Sequence, residues 1–329
     1  MEQMISNFID SIAFGEVKTH RNMSVIPLFA STNHVPAFLT LKKALEGGHL
    51  VISEVDHSGS VPELLAKNGA DLPILLLDGE ELAGAKQNRV LNATILLREK
   101  SETVIPVSCT EHGRWHYKGE HFHDSDVIMA RKARQNKTET VLNRLRNEMS
   151  FRSDQGRVWD DIAEMSRDAG VRSETGAMRD VYESKKASLD EYIQALPLID
   201  RQQGLFVLIG GEVVGFDIIA QGSAYADLHA KLIKSYAMDA LIDHHNAHGV
   251  NREKKAREFF DAILSSTEEK YKSVGYGTDY RFENGIAVGS ALVNFEQVIH
   301  MAFFRTSVTN RTGRMSGSSR RRANRTRIF

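Results

Sequence analysis

The chain has 329 residues, of which 41% are hydrophobic and 26% charged, enough for one large or two ordinary domains. No apolar run approaches the roughly eighteen residues that a membrane span requires, and the N-terminus lacks the basic segment that begins a signal peptide. The single cysteine, Cys109, excludes an internal disulfide framework. We therefore expect a cytoplasmic protein.

The formal net charge of −1 conceals an uneven distribution. Residues 306–329 contain seven arginines and no acid, which leaves about −8 on the rest of the chain. A body of that sign is not typical of a nucleic-acid platform. The segment 305–329 is rich in Ser, Thr, Asn, Gly and Arg and is expected to be a disordered tail. It is either a solvated extension or a contact for RNA, an acidic partner or the acidic body itself.

The first predicted element is a short amphipathic helix within the first dozen residues, because apolar residues recur there at helical spacing. Strand patterns then dominate as far as residue 118. The predicted strands are MSVIPLFA (23–30), FLTLKKAL (38–45), HLVISEV (49–55), LPILLLD (72–78), RVLNATILL (89–97) and TVIPVSC (103–109). VPELLAKNGA (61–70) is expected to be a short helix or turn. The polar REKSE (98–102) predicts that the strands on either side of it are antiparallel neighbours.

A helical pattern follows from about residue 125 to 196. SDVIMARKARQNKTETVLNRLRNEM (125–149) is polar with a thin apolar stripe, which indicates one or two surface helices. Ser153 or Asp154 is placed to cap the next helix, which Gly170 should end. Ser188 begins a capping-box spacing for a further helix.

The final third mixes strands and helices. Two glycines, Gly210 and Gly211, separate two apolar runs and predict a tight hairpin turn. Two helices are expected in YADLHAKLIKSYAMDALID (225–243) and EKKAREFFDAILSS (253–266). Asn284-Gly285 predicts a second hairpin, and VIHMAFF (298–304) a closing strand.

These patterns predict an α+β fold with a β-rich N-terminal sandwich or barrel-like part, a helical middle, and a mixed C-terminal part with hairpins. We expect a β-rich domain over residues 1–124 and a helical and mixed region over 125–304. The two regions form separate domains or one unit, since no Pro/Gly-rich linker divides them.

The stretch DGEELAGAKQNRVLNATILL (78–97) carries many polar groups between two apolar runs. Lys86 and Arg89 are cations suited to a phosphate or carboxylate. Three amides are suited to orienting a ligand: Gln87, Asn88 and Asn92. Glu80 or Glu81 is suited to accept protons. A solvated turn is the alternative interpretation of the same residues.

A second polar cluster, SCTEHGRW (108–115), follows the next strand. Arg114 and Trp115 together suit an anionic ligand that bears a ring, and Glu111 is a further candidate acid or base. Cys109 is either a buried core thiol or, beside a suitable base, a nucleophile.

Neither a metal nor any other cofactor is assigned from the sequence. His244 and His248 lie four residues apart, which is one spacing of helical metal ligands, but no complete metal motif accompanies them. We therefore predict no metal site.

The two polar clusters resemble the ARPP domain family, named for association with ADP-ribosylglycohydrolase and rhodanese-phosphatase proteins. The similarity extends through FRSDQGRVWDDI, GGEVVGFDIIAQ, LIKSYAMDAL and GTDYRFENGIAVGSALVNFEQVIHMAFF, and so covers nearly all the chain except the arginine tail. The resemblance implies a soluble prokaryotic protein that works beside enzymes of ADP-ribose, nucleotide or RNA processing. It supplies no assigned catalytic residue. The matching positions are Gly79, Glu80, Glu81, Lys86, Gln87, Asn88, Arg89, Asn92, Ser108, Cys109, Glu111, Arg114 and Trp115.

Two functions follow from these observations. The first is binding or processing of a phosphorylated, nucleotide-like or ADP-ribose-like small molecule at the combined clusters. The second is a non-enzymatic adaptor or regulator, with the arginine tail as a tether to a protein partner or acidic polymer. Neither function involves a membrane. The two differ in whether the polar residues face a ligand or satisfy one another inside the protein.

Overall fold

The computed structural model describes residues 1–30, 36–55, 62–114, 119, 121–243, 245 and 249–306. The helices in these ranges are α1 (Gln3–Asp10), α2 (Leu41–Glu46), α3 (Arg131–Glu148), α4 (Gln155–Asp168), α5 (Met178–Ser184), α6 (Lys186–Ala195), α7 (Gly222–Ile242) and α8 (Arg252–Ile263). The strands as far as the helical middle are β1 (Ala13–Phe14), β2 (Lys18–His20), β3 (Met23–Phe29), β4 (Leu39–Thr40), β5 (Leu50–Glu54), β6 (Glu63–Asn68), β7 (Ile74–Leu76), β8 (Glu80–Gly84), β9 (Arg89–Leu91), β10 (Ile95–Leu97), β11 (Ser101–Cys109) and β12 (Phe122–Ile128). The later strands are β13 (Gly204–Ile209), β14 (Glu212–Ile219), β15 (Thr267–Lys272), β16 (Thr278–Glu283), β17 (Ala287–Asn294) and β18 (Gln297–Arg305).

The largest sheet is antiparallel and runs β1-β3-β13-β14-β18-β17-β16-β15, with β2 also paired to β3. Both predicted hairpins are confirmed in it. Gly210 and Gly211 have φ of 57° and 77°, as a tight hairpin turn requires, and they join β13 to β14. Asn284-Gly285 lies in the turn from β16 to β17. The pairing of β3 with β13 ties the first strands of the chain to its final third.

The β-rich N-terminal part is a barrel-like sheet in the order β12-β8-β9-β11-β6-β5, and its edge strands β12 and β5 approach each other. A smaller sheet, β10-β7-β4, adjoins it. The interior of the barrel-like sheet is apolar and contains, among others, Ile52, Leu64, Leu82, Leu91, Ile105 and Val107. The prediction that the strands on either side of REKSE are antiparallel neighbours is confirmed only for the first half of RVLNATILL, since β9 pairs with β11, whereas β10, directly before REKSE, pairs with β7.

Helices α3 to α7 pack between the two β-rich parts, whereas α1 and α8 pack on the other face of the largest sheet. Helix α7 is buried on several sides, with Leu228, Leu232 and Tyr236 in the same core cluster as α4, α5 and α6. Asp154 caps α4 by accepting a hydrogen bond from the Arg157 backbone N–H at 3.1 Å. The predicted α+β fold, with its helical middle and its C-terminal hairpins, is thus confirmed.

Five local predictions are wrong. FLTLKKAL forms the two-residue β4 and then helix α2, which Thr40 caps, whereas VPELLAKNGA contains strand β6. RVLNATILL is not one strand, because it bends at residues 92–94 and its halves join different sheets. Ser188 lies inside α6 and does not cap it. The fifth is α3, which is no surface helix but buries five consecutive polar residues, Arg134, Gln135, Asn136, Lys137 and Thr138.

Several predictions fall outside the described residues. They concern Trp115, His244, His248 and the tail beyond Thr306. Arg305 still belongs to β18. The proposed boundary between residues 124 and 125 stays a prediction.

Candidate functional site

The position of Arg89 follows from the register of β9. Arg89 lies opposite Leu82 of β8 and opposite Cys109 of β11. Directly opposed residues of antiparallel strands project from the same face of a sheet, and Leu82 belongs to the apolar interior of the barrel-like sheet. The Arg89 side chain therefore points into that interior, at the end of the sheet where β5, β8 and β11 terminate and β9 begins.

The polar residues gathered at this end form what we call the barrel-mouth cluster. Its members are Glu54, Gln87, Asn88, Arg89, Cys109, Glu111 and Arg114. Five of the ten sequence-predicted site residues are thus brought together: Gln87, Asn88, Arg89, Glu111 and Arg114. Lys86 precedes them in the β8–β9 turn and is also buried.

The Arg89 guanidinium is fully buried but incompletely matched. Its Nη1 donates to Gln87 Oε1 at 3.1 Å. The nearest carboxylate oxygen is Glu54 Oε1, 3.7 Å from Nη2, which is beyond hydrogen-bond length. Nε and Nη2 have no hydrogen-bond partner among the described residues. Nε carries one hydrogen and Nη2 two, so three N–H groups of this buried guanidinium lack an acceptor in the described part of the chain, which is costly. Arg89 is therefore the one member of the cluster with unused capacity for an anion.

Arg114 and Glu111, in contrast, saturate each other. Arg114 donates from Nε to Glu111 Oε2 at 2.8 Å and from Nη1 to the carbonyl of Ala85 at 2.8 Å. Glu111 Oε1 accepts a further hydrogen bond from Thr175 at 3.0 Å. Burial alone acts to raise the pKa of Glu111, but the hydrogen bond and charge of Arg114, together with hydrogen bonds from Thr175 and the Asn88 backbone, outweigh it and lower that pKa below its ordinary value. Glu111 is therefore held ionised and is a poor proton donor near neutral pH.

Cys109 is a core thiol. Its Sγ is 3.2 Å from Gln87 Oε1 and 3.0 Å from the carbonyl of Glu111, so the S–H group has acceptors inside the protein. Burial raises the pKa of the thiol above its ordinary value. A nucleophilic cysteine needs a lowered pKa and access, and Cys109 has neither.

Glu80 and Asn92 lie apart from the barrel-mouth cluster. Glu80 accepts from Lys231 Nζ of α7 at 2.8 Å, and the same ammonium is 2.6 Å from Asp124. Burial raises the pKa of Glu80, and the charge of Lys231 offsets only part of that effect. Asn92 Oδ1 accepts from Ser108 at 2.8 Å, at the bend that ends β9.

Glu81 projects from the opposite face to Arg89, since it lies opposite Val90 in the register and side chains alternate along a strand. Thr110 Oγ1 donates to its Oε1 at 2.6 Å, and Oε2 has no hydrogen-bond partner among the described residues. Burial raises the pKa of Glu81 to about 7, against the opposing effects of Thr110, Ser125 and Arg179. Among the three carboxyl groups predicted as acid or base, Glu81 has the pKa best suited to proton transfer near neutral pH.

The raised pKa of Glu81 predicts how the stability of the variant Glu81→Gln changes with pH. A folded-state pKa of about 7 against an ordinary 4.5 means that the native state loses stability as the pH rises between those values. Removing the carboxyl group removes this loss. The free energy of unfolding of the variant, relative to wild type, should therefore rise by roughly 3 kcal/mol between pH 4.5 and pH 8. Urea unfolding at both pH values measures this difference, with the exposed Glu102→Gln as control. Parallel pH profiles of the free energy of unfolding for wild type and Glu81→Gln would contradict the prediction.

The structure also contains a buried charged network that the sequence patterns did not reveal. It joins α3 to the largest sheet through Arg134, which donates to Asp217 at 3.0 and 2.7 Å. Lys137 donates to Asp78 and, at 2.8 Å, to the carbonyl of Leu91. Its remaining members are Thr94, Tyr236 and His300. The only indication of this network in the sequence is the run of polar residues within the predicted helix.

Two clefts open away from these clusters. The α3–α4 cleft, of about 200 Å³, is lined by residues that include Lys132, Asp161, Glu164, Asp168, Val214, Asp239 and Asp243. The α5–α7 cleft, of about 360 Å³, is lined by residues that include Ser125, Asp126, Arg179, Lys186 and Lys234. Neither cleft is lined by a residue of the barrel-mouth cluster.

The fold and the cluster define a class: an α+β protein whose barrel-like sheet holds a buried polar cluster at one end. The model of the ARPP-1 family, described as "ARG and Rhodanese-Phosphatase-superfamily-associated Protein domain", matches residues 11–304. The chain belongs to this family, as its polar motifs had suggested. Searches of curated proteins and of solved structures found no match to the chain. Within the described ranges, no helix combines the length and the apolar character that crossing a membrane requires.

Proposed function

We propose that this chain is a cytoplasmic protein that binds a phosphorylated, nucleotide-like or ADP-ribose-like small molecule at the barrel-mouth cluster. The observation that carries the proposal is the buried Arg89 guanidinium, whose Nε and Nη2 lack hydrogen-bond partners among the described residues. A phosphate presents two oxygens in the spacing that this fork matches. The mouths of β-barrels are also a common location for ligand sites.

The neighbouring residues take supporting parts in this proposal. Gln87 fixes Nη1 of Arg89, and the Glu111–Arg114 pair holds the turn that carries Asn88. Lys86, buried in the same β8–β9 turn, is a further candidate cation for the ligand. Trp115, which follows Arg114 in the sequence, is the candidate to stack on a base or sugar.

The arrangement favours binding over turnover. Glu81, the carboxyl group with a pKa near neutrality, projects from the other face of the sheet, and Glu111 is committed to Arg114. No acid or base of suitable pKa among the three predicted carboxyl groups therefore shares the cluster with Arg89. The family description, which names association with other superfamilies, supports a protein that recognises a small molecule beside the enzymes that process it.

The test is ligand binding by the full chain, measured by thermal shift and by calorimetry with inorganic phosphate, ribose 5-phosphate, AMP and ADP-ribose. We expect at least one phosphorylated ligand to stabilise the protein. Arg89→Lys keeps the charge but loses the planar fork, so affinity should fall about tenfold or more. Arg144→Lys, on an exposed arginine of α3, is the matched control and should bind as wild type does.

The unliganded melting temperature and the near-UV circular dichroism of Arg89→Lys establish that the variant is folded. Equal affinity of wild type and Arg89→Lys would overturn the assignment to Arg89. Absence of a shift with every phosphorylated ligand would favour the second candidate function, a non-enzymatic adaptor. The mutual saturation of Glu111 and Arg114 is the observation that supports that alternative.

A further inference from the structure

The α3–α4 cleft combines an apolar floor with an acidic rim. Apolar side chains in its lining include Met165, Ile209, Val214 and Ile242. Five carboxylates line it, against two cations, Arg131 and Lys132. Arg131 is paired with Asp239 at 2.9 Å and Lys132 with Glu164 Oε1 at 2.9 Å, and a third carboxylate, Asp161, is paired with Arg157 at 3.1 Å, so the five carboxylates still outnumber these three cations. The cleft is therefore suited to a cationic chain segment that also carries apolar groups.

The chain leaves its last strand beside this cleft. Phe304 of β18 lies opposite Gly215 of β14, so Val214, which lines the cleft, is next to the end of β18. Arg305 projects from the other face of β18 and pairs with Glu212 at 3.2 Å. Adjacent strands are about 5 Å apart, and a segment of a few residues beyond Thr306 is long enough to enter the cleft.

The sequence that follows Thr306 has the complementary charge. Residues 307–329 contain seven arginines and no acidic residue. The first two, Arg311 and Arg314, come five and eight residues after Thr306, a reach of roughly 17 and 26 Å in extended chain. Arginine is well suited to such a rim, because it pairs with carboxylates through its planar fork while its stem covers apolar surface.

We propose that the C-terminal segment 307–329 docks in the α3–α4 cleft of its own chain, with Arg311 and Arg314 against the carboxylates of Glu164 and Asp168. Glu164 and Asp168 lie one helical turn apart on the same face of α4, roughly 6 Å along its axis. Asp168 makes no ion pair with any described residue. In fully extended chain, arginines three residues apart are about 10 Å apart and project to opposite sides, so this pairing requires a bend between them, for which Gly313 supplies the backbone freedom.

Hydrogen exchange of the full-length protein tests this docking. A segment that occupies the cleft about nine-tenths of the time slows exchange through cleft opening about tenfold. Amides of the first turn of α3 and the last turns of α4 should therefore exchange about tenfold faster in the full-length variant Arg311→Gln/Arg314→Gln. The cleft variant Glu164→Gln/Asp168→Asn should show the same acceleration. A protein that carries all four substitutions should exchange no faster than either double variant. At about 0.5 M salt the difference from wild type should disappear.

A matched control separates docking from net charge. Arg325→Gln/Arg327→Gln removes the same charge from the far end of the segment and should leave exchange in the cleft as in wild type. Equal acceleration by the control pair would overturn the proposal in favour of a nonspecific charge effect. Equal exchange in wild type and Arg311→Gln/Arg314→Gln would also overturn the proposal. It would favour binding of the tail to an external acidic polymer or protein.

Discussion

Replacement of Asp217 by asparagine is expected to lower the free energy of unfolding by about 3–5 kcal/mol. The reason is the fully buried Arg134, whose two terminal nitrogens donate to the Asp217 carboxylate. Asparagine keeps the shape but leaves the guanidinium without its principal counter-charge. Tyr236 and His300 contact the same carboxylate at 2.8 and 3.2 Å, so they lose a charged partner as well.

The pH dependence of this loss follows from the pKa of Asp217. Burial alone acts to raise that pKa, but the charge and hydrogen bonds of Arg134 and His300 outweigh it and hold the pKa well below the ordinary 3.8. The carboxylate therefore stabilises the fold at every pH above the ordinary value, and its contribution disappears as the pH falls through the lowered folded-state pKa. The difference between wild type and Asp217→Asn should be constant from pH 8 to about pH 5 and shrink in strong acid.

Urea unfolding followed by circular dichroism measures the difference. The control is Glu283→Gln, which removes one carboxylate from an exposed ion pair with Arg146 at 3.0 Å. Exposed pairs contribute about 0–1 kcal/mol, so this variant should be nearly as stable as wild type. Similar small losses in both variants would mean that the buried network contributes no more than a surface pair.

The second large effect is expected for Gly275→Ala. A Cβ atom at residue 275 would lie 2.1 Å from the carbonyl oxygen and 2.7 Å from the carbonyl carbon of Leu96, both of which are backbone atoms. The adjacent Tyr276 N–H donates to the same carbonyl at 2.8 Å, so the β15–β16 connection cannot move away without losing that hydrogen bond. The substitution should cost about 3 kcal/mol, at the upper end of overpacking effects.

Gly285→Ala is the matched control for this prediction. A Cβ atom at residue 285 would meet nothing within 4 Å, so the variant should lie within about 0.5 kcal/mol of wild type. Thermal and urea unfolding of the two variants compare them directly. A Gly275→Ala protein as stable as Gly285→Ala would show that the contact between β10 and the β15–β16 turn is easily displaced.

The elements that the sequence predicted well are those with local causes. The Gly210-Gly211 turn depends on the positive φ that its two glycines adopt. The Asn284-Gly285 turn depends on the Asn284 side chain, whose Oδ1 accepts from the backbone N–H groups of Ile286 and Ala287 at 2.9 and 2.8 Å. The helix around Leu228 and Leu232 depends on spacing within one segment. The elements that failed depend on distant partners. The bend at Asn92 and Thr94 is fixed by Ser108, Asp78 and His300, none of which is identifiable as a partner from the local pattern.

The candidate site likewise has features that were predicted from the sequence and features that depend on distant partners. The sequence located Gln87, Arg89, Glu111 and Arg114 correctly as neighbours, because β9 and β11 pair as antiparallel strands. The chain nevertheless passes through β10 of the smaller sheet between them, which the pattern did not indicate. It did not separate Glu81 from Arg89, since that requires the register of β8 against β9. The pairing of Arg134 with Asp217 joins residues 83 positions apart, and the helical pattern of α3 gave no indication of it.

The place of β3 in the largest sheet has a consequence for how the protein is made. One edge of β3 pairs with β1 and β2, which precede it, but its partner at the other edge, β13, begins only at residue 204. The ribosome must therefore add the entire barrel-like sheet and the first helices before that edge can pair, and at about 5–20 residues per second this delay is on the order of ten to thirty seconds. During that interval the apolar strand β3 has one open edge, whereas β4 to β12 have all their sheet partners within a single continuous stretch. We therefore expect nascent chains to need chaperones most while they are shorter than about 204 residues.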